Sequence, residues 1–222
     1  MLALILLLPY AIQGVSKVSE PSIWDYLKSP TGSFLGDVTE FAGGLLGFND
    51  VPNMYVKRAG GKDVVEDAID HIITITGDDH PSVKPLLMHT ALKESEYGTD
   101  SKTYEFRKLS PTETVGHGGI AQVTDGSVGD ILRRSRESNS DDGKRLARML
   151  DKFKEAGIDF KKAYGEKGGP EWREWLEIPI NSLSAARLHY YANNNPLPKM
   201  TRDKDVNQKA LEAYYTKIYR GK

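Results

Sequence analysis

The chain has 222 residues, enough for one well-packed domain and an appendage. A formal net charge of −1 supplies no global basic field to draw it onto nucleic acid, and the absence of cysteine excludes disulfides, thiol nucleophiles and Cys-ligated zinc. Five histidines without HExxH-type spacing give no support to a metal site, and no cofactor is implied.

Met1 to Pro9 is almost wholly apolar but too short to span a bilayer as a helix. It has the character of a secretory-signal core, without a basic segment before it or a small-x-small cleavage site after it. The alternatives are a hydrophobic strand or helix that docks on a partner or on the domain, or the edge of a larger processed chain. Residues 15–60 read as loosely structured, with turn material at Ser29-Pro30-Thr31-Gly32-Ser33. Phe34, Leu35, Val38, Phe41, Leu45, Leu46 and Phe48 form an amphipathic stretch. It is expected to cover the main domain, with a membrane surface or a larger assembly as its other destinations. Arg58-Ala59-Gly60-Gly61 reads as a linker, dividing residues 1–60 from a domain over residues 61–222.

From Lys62 the apolar spacing is helical. Val64, Val65, Ala68, Ile69, Ile72 and Ile73 predict a helix ending before Gly77, and a second begins between Pro81 and Pro85. Residues from about Thr103 to Thr124 turn irregular and fit a loop with a short hairpin. Helices are then predicted at Val128–Arg136, Lys144–Ala156, Pro170–Leu176, Asn181–Ala192 and Val206–Tyr219. The fold class is therefore mainly α, with one small β element beside the second helix. Arg133, Arg134 and Arg136 cluster, as do basic residues from Lys144 to Lys162, but interrupting acids make the second run a solvated helix face rather than a nucleic-acid surface.

The second helix carries the candidate for chemistry. Leu87, Ala91 and Glu94 are spaced by four and three, so Glu94 lies on the apolar face just before Gly98 ends the helix. An unpaired carboxyl on such a face favours its neutral form, and a carboxyl that keeps its proton near neutral pH serves as a general acid.

Four segments, in order, resemble the SLT-type lytic transglycosylases of the lysozyme-like superfamily. Glu94-Ser95-Glu96-Tyr97 is similar to the family's E-S-x-F/Y, and Gly118-Gly119-Ile120-Ala121-Gln122 to its G-L-M-Q segment. Pro179-Ile180-Asn181-Ser182 with Ala185 resembles the P-x-x-N-I-x-x-G helix start, and Ala210-Leu211-Glu212-Ala213-Tyr214 the A-L-A-A-Y segment. Two positions depart: Tyr215 stands where the family has Asn, and Leu188 where it has Tyr, with Tyr190 and Tyr191 nearby.

The resemblance implies an α+β lysozyme-like domain that cleaves the β-1,4 bond between N-acetylmuramic acid and N-acetylglucosamine in peptidoglycan. Glu94 would be its single acid/base. Ser95, Tyr97, Gly119, Ile120, Gln122, Asn181, Tyr190 and Tyr214 would contact the glycan. The site of action would be the cell envelope. A hydrolytic muramidase is the near alternative and needs a second carboxylate, for which Asp100, Asp125 and Asp130 are candidates. A non-catalytic assembly protein on the same scaffold is a third reading. By analogy with phage particle proteins, residues 1–50 would then associate with a virion or a membrane.

Overall fold

A computed structural model describes residues 51–105, 117–137, 139–166 and 168–221. The expectations for residues 1–50, and the part of the irregular stretch at 106–116, lie outside the described residues. The fold is mainly α, as the periodicity predicts. In chain order the elements are α1 (Lys62–Thr76), α2 (Val83–Ser95), β1 (His117–Gly118), β2 (Val123–Thr124), α3 (Asp125–Arg134), α4 (Asp141–Glu155), α5 (Phe160–Tyr164), α6 (Pro170–Leu176), α7 (Pro179–Ala192) and α8 (Lys204–Tyr214). A π-helical turn, Tyr215–Tyr219, follows α8 directly. β1 and β2 pair antiparallel, with His117 opposite Thr124 and Gly118 opposite Val123.

The centre of the molecule is α7. Its sides carry Leu183, Ala185, Ala186 and Leu188 together with Ser182 and Ser184, all buried, so α1, α2, α3, α4 and α6 can approach it from several directions. Pro179 at its first turn fixes φ where no N–H partner is needed. α1 buries Val65, Ala68, Ile69 and Ile72 against it and stops at Gly77, whose left-handed backbone returns an N–H to Ile73 O. Phe153, Phe160, Trp172 and Trp175 form an aromatic cluster at the packing of α4, α5 and α6, in which the two indoles stack at 5.0 Å. Full burial of each large apolar side chain contributes roughly 1.5–3 kcal/mol, so this cluster is held chiefly by packing.

Several boundaries differ from the sequence expectation for local reasons. α3 begins three residues earlier because Thr124 accepts from Ser127 N at 3.2 Å and caps it. α4 begins at Asp141 because Ser140 accepts from Gly143 N at 2.9 Å. α5, too short to show a period, follows the Asp159 cap. Residues 51–60, expected to be partly linker, pack on the domain instead. Met54 and Tyr55 lie against the core, and Tyr55 Oη sits 3.1 Å from His71 Nε2. Arg58 clamps Glu177 through two hydrogen bonds of 2.9 and 2.8 Å. Burial would raise the Glu177 carboxyl, but Arg58 and Lys57 outweigh it and hold the group below its usual range.

Candidate functional site

Glu94 sits on the last turn of α2, where three segments meet. The first is the end of α2 itself. Beyond Ser95 the backbone takes three successive left-handed residues, Glu96 (φ 50°), Tyr97 (φ 61°) and Gly98 (φ 81°). The second is the turn between β1 and β2, in which Gln122 is also left-handed (φ 51°). A left-handed non-glycine residue costs on the order of 1–2 kcal/mol. Three of the four such residues among the described ones lie in these two segments, so the surrounding contacts must hold them there. The third segment is the π turn after α8.

The contacts between segments are specific. Ser95 Oγ donates to Ile120 O at 2.7 Å and accepts from Gly98 N at 2.8 Å, tying the helix end to the β1–β2 turn. Tyr219 Oη donates to Ala121 O at 2.6 Å, tying the same turn to the π turn. Tyr215 Oη donates to Glu94 Oε1 at 2.5 Å. Arg220 Nη1 lies 3.3 Å from both Glu94 oxygens. The Glu94 side chain is 8% exposed and that of Arg220 is 47% exposed, so the carboxylate is shielded and the guanidinium forms its outer cover.

Burial governs the phenols. It pushes the Tyr190, Tyr215 and Tyr219 hydroxyls well above their ordinary value, so all three stay protonated as donors around neutral pH. Tyr215 and Tyr219 stack at 5.8 Å, and Tyr190 lies 5.2 Å from Tyr219. Burial acts the opposite way on His89, lowering its imidazole, which packs edge-on against Tyr215 at 5.4 Å. Its Nε2 is 3.1 Å from Glu212 Oε2, which in turn pairs with Lys93 at 2.8 Å.

The structure sorts the sequence-predicted residues into two groups. Five are enclosed, and their polar atoms serve the fold. Ser95 is 2% exposed and occupied as described. Gly119 (φ 67°) has no room for a side chain, since a Cβ there would overlap the Leu176 carbonyl and Ser182 Oγ. Ile120 is fully buried. Asn181 Nδ2 donates to Trp175 O at 3.0 Å and so joins α7 to α6. Tyr190 is 2% exposed, its hydroxyl 2.7 Å from Thr90 Oγ1. In this structure these five hold the frame of the site, with their hydrogen bonds satisfied within the protein.

Tyr97, Gln122 and Tyr214 are half-buried. Gln122 Nε2 donates to Thr103 O and Gly119 O at 2.7 and 2.8 Å, and Tyr214 Oη donates to Asn195 O at 3.1 Å. The candidate second carboxylates have structural duties. Asp125 Oδ1 accepts from Trp172 Nε1 at 3.0 Å, Asp130 pairs with Arg133 at 2.7 Å, and Asp100 accepts from Lys102 N at 2.9 Å.

Sequence reasoning missed Tyr215 and Arg220 as partners of Glu94, and with them its pairing. Steps of four and seven from Leu211 reach Tyr215 and Ile218, so helical spacing places Tyr215 on the face of those two residues. The π turn, with Arg220 N bonded to Tyr215 O, then brings Arg220 round to the carboxylate. Comparison with family models, with curated proteins and with solved structures found no match to this chain.

Proposed function

We propose that the protein cleaves the glycan strands of peptidoglycan as a lytic transglycosylase, with Glu94 as its single acid/base. The observation that carries this reading is a carboxylate 8% exposed at a helix end, held by a phenol and covered by one half-exposed arginine, in the segment whose sequence resembles the family's catalytic motif. The strained backbone on either side of it is a second support, because such strain gathers at functional sites. The structural engagement of Asp100, Asp125 and Asp130 favours a one-carboxylate route over hydrolysis.

In that route Glu94 gives its proton to the oxygen linking N-acetylmuramic acid to N-acetylglucosamine, and that bond breaks. The N-acetyl carbonyl of the substrate stabilises the electron-poor anomeric carbon. The ionised Glu94 then takes the proton of the C6 hydroxyl, whose oxygen closes onto the anomeric carbon of the same ring. Intramolecular attack needs no ordered water and gains the entropic advantage of a tethered nucleophile. Glu94 ends the cycle protonated, as it began. The Tyr215 hydroxyl fixes the orientation of the carboxyl throughout. The site of action is the cell envelope, and a virion or membrane attachment would fall to residues 1–50.

Digestion of purified peptidoglycan in ¹⁸O-labelled water tests the reaction type. The proposal expects 1,6-anhydro ends without label. Labelled reducing ends would establish the muramidase alternative, and intact strands would establish the non-catalytic one.

A further inference from the structure

We propose that Arg220 is a specificity-determining residue, which passes its guanidinium from Glu94 to a carboxylate on the incoming glycan, and so selects carboxylate-bearing strands and uncovers Glu94. The inference rests on the cleavage reaction proposed for Glu94.

The geometry shows a pair suited to exchange. A full arginine–carboxylate fork uses two nitrogens at about 2.7–2.9 Å. Here one nitrogen straddles both oxygens at 3.3 Å, short of a two-nitrogen fork, and the guanidinium also interacts with the Tyr215 hydroxyl that holds Glu94. The guanidinium is nearly half exposed, whereas the carboxylate beneath it is shielded, so a ligand arriving from solvent meets Arg220 first.

Both Glu94 oxygens are engaged until that exchange occurs, Oε1 by Tyr215 and Arg220 and Oε2 by Arg220, and a general acid needs an oxygen free to reach its substrate. Among the described residues Arg220 is the one cation paired with Glu94. The other titratable groups facing it are the phenols of Tyr215 on the π turn, Tyr219 on the same turn and Tyr190 on α7, all kept neutral by burial. The nearby Lys93 of α2 and Glu212 of α8 neutralise each other, with His89 beside them. A substrate carboxylate that engages Arg220 therefore uncovers Glu94 Oε2.

Peptidoglycan offers two such carboxylates, the lactyl group of a peptide-free muramic acid and the acids of the peptide stem. The test compares kcat/KM of the wild-type protein, Arg220→Gln and Arg220→Lys on peptide-free strands, peptide-bearing strands and carboxylate-free chitin-type oligomers. Arg220→Gln is expected to lower kcat/KM on the carboxylated strands roughly ten- to hundredfold, the span of a charge-assisted hydrogen bond, without lowering it on the chitin-type oligomers. The Lys variant should retain part of the preference. A loss on carboxylated strands alone is a change that a purely structural role would not produce. Loss confined to peptide-free strands assigns the lactyl carboxylate, and loss confined to peptide-bearing strands assigns the stem. Equal effects of Arg220→Gln on all three substrates, with unchanged melting, would overturn the proposal. Failure of the wild-type protein to cleave any of them would instead remove the reaction on which it rests.

Discussion

Arg187 with Asp78 and Arg220 with Glu94 are both arginine–carboxylate pairs, built the opposite way round. The Arg187 side chain is 4% exposed, donates to Asp78 at the α1–α2 turn and lies 5.3 Å from the centre of the Tyr191 ring. There the cation is the enclosed partner, and the pair pins the central helix to the turn between α1 and α2. At Glu94 the carboxylate is enclosed and the cation half exposed. Taking an arginine out of water is costly, so a buried one is released only with the loss of the fold. An arginine resting in the surface over a shielded acid is released at little cost. The first arrangement suits architecture, and the second suits a group that must change partners.

The comparison can be broken most directly at the buried pair. Arg187→Met leaves Asp78 without its counter-charge and is expected to cost about 3–5 kcal/mol in denaturant unfolding. A loss below about 1 kcal/mol would make the two pairs alike and remove the distinction. A smaller effect should follow acidification. His71, His89 and His189 are all held below the ordinary histidine value, in each case first by burial. Each stays neutral in the folded state while the unfolded chain takes up a proton, so the unfolded state binds more protons and stability falls as pH drops through about 6.5. Between pH 7 and 5 the carboxylates held low, Glu177, Asp142 and Glu212, still contribute their full share, since that is lost only below their unfolded values. The melting temperature should therefore decline across that window. Because His89 and His189 pack against Tyr215 and Tyr219, amide exchange should quicken first in the π turn beside Glu94. A flat melting profile from pH 7 to 5 would contradict this. A smaller loss than at Arg187 is expected for Arg220→Gln, about 1 kcal/mol or less, because the guanidinium is half exposed and Glu94 keeps its Tyr215 hydrogen bond.

Much of the scaffold could be read from the sequence, because apolar spacing, prolines at first turns and Gly77 mark α1, α2, α6 and α7 locally. The all-round burial of α7 could not, since its serines and Arg187 look like a solvated face until Asp78, Ala121 and the core enclose them. The five-residue α5 is shorter than two turns and carries no period. Glu94 itself was legible from its position on an apolar face. Its partners were not, because Tyr215 and Arg220 lie 121 and 126 residues along the chain and are brought in by a π turn that helical periodicity does not anticipate. Distance also hid the partners of Ser95 and Tyr190, which are Ile120 and Thr90, 25 and 100 residues away, whereas Asn181 bonds Trp175 only 6 residues back, across the α6–α7 junction.

The most direct test replaces one atom pair of one side chain. Glu94→Gln keeps the size and shape of the carboxyl and removes its acid/base capacity. On purified peptidoglycan it should retain glycan binding and a near wild-type melting temperature while turnover falls by roughly 10²–10⁴-fold, the usual share of general acid–base catalysis. Turnover equal to wild type, with the fold intact, would contradict the account at its centre.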